Sequence, residues 1–211
     1  MNKSVRNLII ALIILIIFSG YSFINNRVSG IKTTPYDTSE LQEPIQNNLD
    51  GNDKIYINNN KVTLVKRAEY KIYAVVASKK SYGKFSDGDI APLDLALAWG
   101  KLTDQSYLKD ISFFQSSRWY YYRYDGKRDI DISYISSHSA NNHIIPKNKN
   151  ILNILNKIKV KDKVILEGYL VDIYKGSNFQ WKTSLNRSDT GSGACEVFYI
   201  EKVIYKNKMY E

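Results

Sequence analysis

Both histidines of the chain, His138 and His143, fall in the nonapeptide HSANNHIIP, together with Asn141 and Asn142. About fifty residues later, NRSDTGSGACE carries Arg187, Asp189, Thr190, two glycines and the only cysteine, Cys195. A thiol becomes a nucleophile when its pKa is lowered and a base, usually histidine, stands beside it. Cys195 with His143 or His138 is therefore the catalytic pairing this composition offers. The competing reading is structural, since a cysteine opening an apolar strand is more often a small buried hydrophobe. Asn and His side chains also hydrogen-bond loop backbone, so HSANNHIIP is expected to be a loop crossing one end of a β-rich domain. That structural reading is favoured for both segments, and the two are expected to lie near one another.

Other chemistry finds less support. Zinc sites of the H-E-x-x-H type need a helical i, i+4 pair and a carboxylate. The histidines here are five apart, with Asn-Asn between them and a proline after. A single cysteine also excludes a CxxC knuckle and an intrachain disulfide, so no metal or other cofactor is expected. Glycines beside a cation can build an anion-binding nest. Asn142, His143, Arg187, Asp189 and Thr190 are therefore the candidate binding residues, although the G-x-x-x-x-G-K-[ST] pattern is missing. A tight turn in which Asp189 satisfies backbone N–H groups is the favoured alternative. Neither Ser184 nor Ser188 lies in G-x-S-x-G. SSRWYYYRY interleaves Arg118 and Arg123 with aromatic residues, a pattern able to stack bases or sugars. Strand alternation puts Trp119, Tyr121 and Arg123 on one face and Tyr120, Tyr122 and Tyr124 on the other, and one of the two faces would be core.

The elements that must position these residues read mainly as strands. Ile55, Ile57, Val62, Leu64 and Tyr70, Ile72, Ala74, Val76 alternate, giving three strands around an Asn-Asn-Asn turn. Ala91, Leu93, Leu95, Ala98 and Trp99 suit a short helix entered at Pro92 and stopped at Gly100. A second helical turn falls near Asp104–Lys109. Asp125-Gly126 marks a type I′ hairpin. After Pro146, Ile151, Leu152, Ile154, Leu155 and Ile158 line one face of a short helix. DKVILEGYLVDIY is a strong strand bent at Gly168, FQWKTS follows a KGSN turn, and CEVFYIEKVIY closes the chain. The expected class is mainly β (α+β): a small OB-like or related β-barrel with two or three short helices.

Upstream, Leu8–Phe18 is an unbroken apolar run of eleven residues. Leu8–Ile24 would reach about 25 Å as a helix, slightly short of a roughly 30 Å hydrocarbon core. Snorkelling Lys3 and Arg6 stems make up the difference. An uncleaved anchor is favoured over a cleaved signal peptide, because an A-x-A site is missing. The positive-inside rule then leaves a short cytoplasmic tail and exports the rest, in a bacterium to the periplasm or outer surface. Residues 25–53, with two of the four prolines, read as a flexible linker between a 1–24 anchor and a 54–211 globular domain. The formal charge of +9 falls to about +7 without Lys3 and Arg6. Such a surface favours anionic partners.

Four segments, APLDLALAWG, SANNHIIP, DKVILEGYLVDI and WKTSLNRSDTGSGACEVFYI, together resemble a group of single-pass bacterial membrane proteins of unassigned activity. The resemblance spans roughly residues 60–205 and implies an envelope protein, without supplying catalytic residues. Lys161-Asp162 stands where that group is expected to have Gly-Asp. GSGACE also has a faint similarity to the Ser/Thr-x-Gly-Cys segment of L,D-transpeptidases, but those enzymes place histidine just before Gly-Cys. The leading expectation is a non-enzymatic, membrane-anchored envelope module binding a protein or an anionic polymer. A Cys/His cell-wall enzyme is the first alternative. An OB-type nucleic-acid binder is the second, and nucleic acid is the least expected partner of an exported domain.

Overall fold

The computed structural model describes residues 2–25, 28–36, 38, 42–83, 87–126, 130–187, 189 and 191–211. It begins with helix α1 (Lys3–Asn25) and two short strands, β1 (Ile31–Lys32) and β2 (Ile45–Asn48). Then come β3 (Lys54–Ile57), β4 (Val62–Ser81) and β5 (Leu93–Ala98), followed by helix α2 (Gln105–Leu108). The hairpin β6 (Ile111–Ser116) and β7 (Trp119–Tyr124) leads to helix α3 (Ile132–Ser137), β8 (Ser139–Pro146) and helix α4 (Lys149–Lys157). The chain ends with β9 (Lys163–Lys175), β10 (Phe179–Trp181), β11 (Glu196–Tyr205) and β12 (Lys208–Tyr210). The result is a mainly β, α+β architecture: a ten-stranded mixed sheet, a separate two-stranded hairpin and an N-terminal apolar helix.

The 20-residue strand β4 organises the sheet. It pairs antiparallel with β9 from Val62–Lys175 to Val75–Lys163, and from Val75 onward also pairs with β5. β5 pairs antiparallel with β8, β8 runs parallel to β11, and β11 pairs antiparallel with β9. Hydrogen bonding thus passes from β4 through β5, β8, β11 and β9 and returns to β4. Gly168 sits opposite Tyr70 on β4 and Ile200 on β11. A Cβ there would collide with the Tyr199 carbonyl, so only glycine allows the strands to approach so closely.

Side-chain alternation sorts the core. Tyr70, Ile72, Ala74, Leu93, Leu95, Leu97, Ile144, Leu166, Leu170, Phe198 and Ile200 belong to one large buried cluster, to which α4 adds Ile151, Ile154 and Leu155. The Asn148 side chain accepts from the Ile151 N–H to start α4, and Lys79 Nζ donates to the carbonyls of Leu155, Asn156 and Ile158 at its end. On the opposite face, Val75, Ala77, Ala96 and Ala98 pack under Tyr120, Tyr122 and Tyr124 of the β6–β7 hairpin. Trp119, Tyr121 and Arg123 are exposed, as alternation requires.

Several elements differ from the sequence expectation. Residues 91–99 hold strand β5, not a helix, because all six β5 residues are buried between the core and the hairpin. A strand covered on both faces loses its period of two. HSANNHIIP likewise is no loop: Ser139–Pro146 is β8, flanked by β5 and β11. The hairpin turns at Ser117-Arg118, both with positive φ (50° and 72°), and not at Asp125-Gly126. Ile132 and Tyr134, expected in its second strand, belong to α3, capped by Asp131. The strands expected at 62–64 and 70–76 are one strand. Residues 25–53, expected to be a flexible linker, contain β1 paired to β12 and β2 paired to β4, whose backbone groups find partners along open sheet edges.

The Lys3–Gly20 window of α1 has a mean hydropathy of 1.8 and is not buried against the rest of the chain. By length and composition it suits a signal anchor or a signal sequence.

Candidate functional site

Polar residues converge where β5, β8 and the start of β11 meet the hairpin. Asp94 points from β5 directly across from His143 of β8 and is fully buried. One of its oxygens, Oδ1, accepts from His143 Nδ1 at 2.9 Å and from Arg118 Nη1 at 2.7 Å. Arg118 reaches it from the hairpin turn, its guanidinium 3.7 Å over the Tyr82 ring and its Nη2 bonded to the Ala91 carbonyl. Trp181 of β10 packs against His143 with ring centroids 4.3 Å apart. A buried carboxylate is tolerated where cationic donors hold it.

A second charged group lies at the start of β11. Glu196, 1% exposed, pairs with Arg187 Nη1 at 2.5 Å, and Arg187 also donates to the Tyr70 hydroxyl at 3.1 Å. Burial outweighs the lowering effect of Arg187 and pushes the Glu196 carboxyl up to about 7. Ser184 Oγ donates to Asp189 Oδ2 at 2.6 Å, which ties the turn preceding β11 together. Among the described residues, Glu196 Oε2 and Arg187 Nε are buried without a hydrogen-bond partner, as are Asp94 Oδ2 and Asn142 Oδ1.

Cys195 lies between these groups, beside Asn141. The Asn141 amide donates to Arg118 O at 2.9 Å, approaches Cys195 Sγ at 3.8 Å and accepts from Gln115 Nε2 at 2.7 Å. Burial pushes the Cys195 thiol up to about 12, opposed only in part by the Asn141 contact. Two hollows open here. One of about 350 Å³ is bordered by Trp119, Tyr121, Arg187, Asp189, Cys195 and Glu196. The other, about 250 Å³, is bordered by Arg118, His143, Trp181 and Cys195.

The expected proximity of the two polar segments thus holds. Asn142 pairs with Glu196 and His143 with Val197 in the parallel β8–β11 register. His143 and Cys195 gather on this face, and Asp189 lies in the turn before β11; Asn142 and Glu196, paired in register, turn to the opposite, core side, where Asn142 donates to the Ala140 carbonyl and Arg187 joins Glu196 to Tyr70. His138 is engaged elsewhere: Nε2 meets Glu43 Oε1 at 2.8 Å, and its ring stacks on Tyr134 at 3.6 Å. Thr190 lies outside the described residues. No protein-family model matches this chain, and no curated protein or solved structure matches it.

Three contributors were not among the sequence candidates: Asp94, Glu196 and Tyr70. Asp94 and Glu196 share a signal, a lone charge inside or opening an apolar run (PLDLALAW and CEVFYI). A charge at such a position is buried when the strand is, and must then find a partner. Among the described residues no group of three or more His, Cys, Asp or Glu side chains is arranged to hold a metal ion.

Proposed function

We propose that this chain is a membrane-anchored bacterial envelope module, of the single-pass kind its four segments resemble, that binds a polymer of the cell surface and does not transform it. Its folded part is read as an OB-type barrel. Supporting that reading are the circuit of pairings through five strands, the parallel β8–β11 contact and the placement of α4 between β8 and β9. The apolar α1 supplies the anchor, and the basic charge draws anionic polymers toward the domain.

The observation that carries the non-catalytic reading is the commitment of each nucleophile and base candidate to a different partner. Cys195 has an amide beside it and a raised pKa, His143 Nδ1 is held by Asp94, and His138 is bound to Glu43. The hairpin also covers the outer face of β5 and β8, so the hollows there are compact and not the extended groove a nucleic-acid strand needs.

A second reading has its own support. Asp94 orients His143 as the third member of a triad would, and His143 and Cys195 border the same 250 Å³ hollow. Thiol labelling of the full chain in lipid nanodiscs separates the two. The binding reading expects Cys195 to react slowly at pH 7 and to speed up only on unfolding. Rapid labelling at pH 7 that His143→Ala suppresses would establish the enzyme reading instead.

A further inference from the structure

We propose that the 350 Å³ hollow between the β6–β7 hairpin and the start of β11 seats one neutral saccharide unit of a cell-surface glycan. This rests on the reading of the domain as an exported binding module and names the ligand that module takes.

The site is built before any ligand arrives. Its inner wall presents Glu196, 1% exposed, whose Oε2 has no partner among the described residues, and Arg187, whose Nε is buried and likewise unpartnered. Leaving such atoms unsatisfied is unfavourable, so a ligand supplying both a donor and an acceptor recovers part of that cost. Hydroxyl groups do both, donating to a carboxylate oxygen and accepting from a guanidinium N–H. Arg187 meets two carboxyl groups at this border, Glu196 at 2.5 Å and Asp189, so the site holds no unopposed charge. The pocket therefore asks for a neutral polar ligand, not for a free ion of either sign.

The opposite wall is aromatic. Trp119 and Tyr121 stand on the hairpin, 42% and 45% exposed, and Phe114 stacks on Tyr121 with centroids 5.2 Å apart. Rings that combine an apolar face with a polar rim suit a pyranose, which has C–H faces and hydroxyl edges. Tyr120 and Tyr122 extend the aromatic border, and Ala140, Gly191 and Ala194 add little bulk beside them.

The test uses the full chain in nanodiscs, because sugar-headed detergents would compete. Chitotriose, cellotriose and maltotriose are titrated by calorimetry and by tryptophan fluorescence, with tetramethylammonium and polyphosphate as charged comparisons. At least one trisaccharide is expected to bind saturably. Glu196→Gln and Trp119→Ala should each weaken it tenfold or more. Because Trp119 is largely exposed, its variant decides the matter should Glu196→Gln fail to fold. Failure of all three sugars to bind the folded protein, equal binding by Trp119→Ala, or a preference for either charged probe would overturn the proposal. Such a failure leaves the exported binding module standing, whereas rapid His143-dependent labelling of Cys195 removes that module whatever the sugars do.

Discussion

Glu196 carries a consequence for stability as well as for binding. Its carboxyl titrates near 4.5 when unfolded and at about 7 in the fold, because burial favours the neutral form. Between those values the folded chain holds a proton that the unfolded chain has lost. Stability from this group is therefore fully present below about pH 4.5 and is lost as pH rises through 7. The slope is at most about 1.4 kcal/mol per pH unit. Urea unfolding followed from pH 5 to 8 should show a decline that Glu196→Gln removes; an unchanged slope in the variant would contradict the assignment. At this scale the sequence was only half legible. Cys195, His143, Arg187 and Asp189 stood out as polar residues in short clusters, and they do converge. Asp94 and Glu196 did not stand out, since a charge inside an apolar run reveals that it is buried but not which cation it meets. His138 and His143, close in sequence, part company because His138 caps the end of α3 while His143 lies within the strand.

Among the elements, those with a single buried face were readable. The apolar stripe of α4 is such a face, whereas β9, buried on both faces, is legible as a long apolar run. β5 and β8 were not readable, because each is buried between two strands and under the hairpin, and a fully covered strand keeps no polar face to betray its period. Gly168 was legible as the bend of β9, and its environment gives a sharp expectation. A methyl there must displace the Tyr199 backbone, which a packed strand resists, so Gly168→Ala should cost about 1–3 kcal/mol in thermal or urea unfolding. Gly83→Ala, with open space around it, is the matched control and should change little. Equal behaviour of the two variants would mean that β9 and β11 do not pack as closely as described. The hairpin is the other decisive element. It covers β5 with Tyr120, Tyr122 and Tyr124 and borders the 350 Å³ hollow with Trp119 and Tyr121.

For the molecule as a whole, one apolar helix, a basic folded domain and a pocket with uncommitted polar atoms are the features on which the proposed surface-binding role rests. The helix was the plainest feature of the sequence, because eleven consecutive apolar residues near the N-terminus suit a signal anchor or a signal sequence. The segment after it holds β1 and β2, and short strands at sheet edges need backbone partners more than apolar side chains, so they leave little trace in composition. Everything proposed for the pocket depends on the domain meeting the cell surface. Alkaline phosphatase and, separately, green fluorescent protein joined after Glu211 and expressed in a bacterial host test this most directly. The account predicts an active phosphatase fusion that stays with the membrane through a carbonate wash, and a dark fluorescent-protein fusion. A bright fluorescent fusion with an inactive phosphatase would place the domain in the cytoplasm and contradict it.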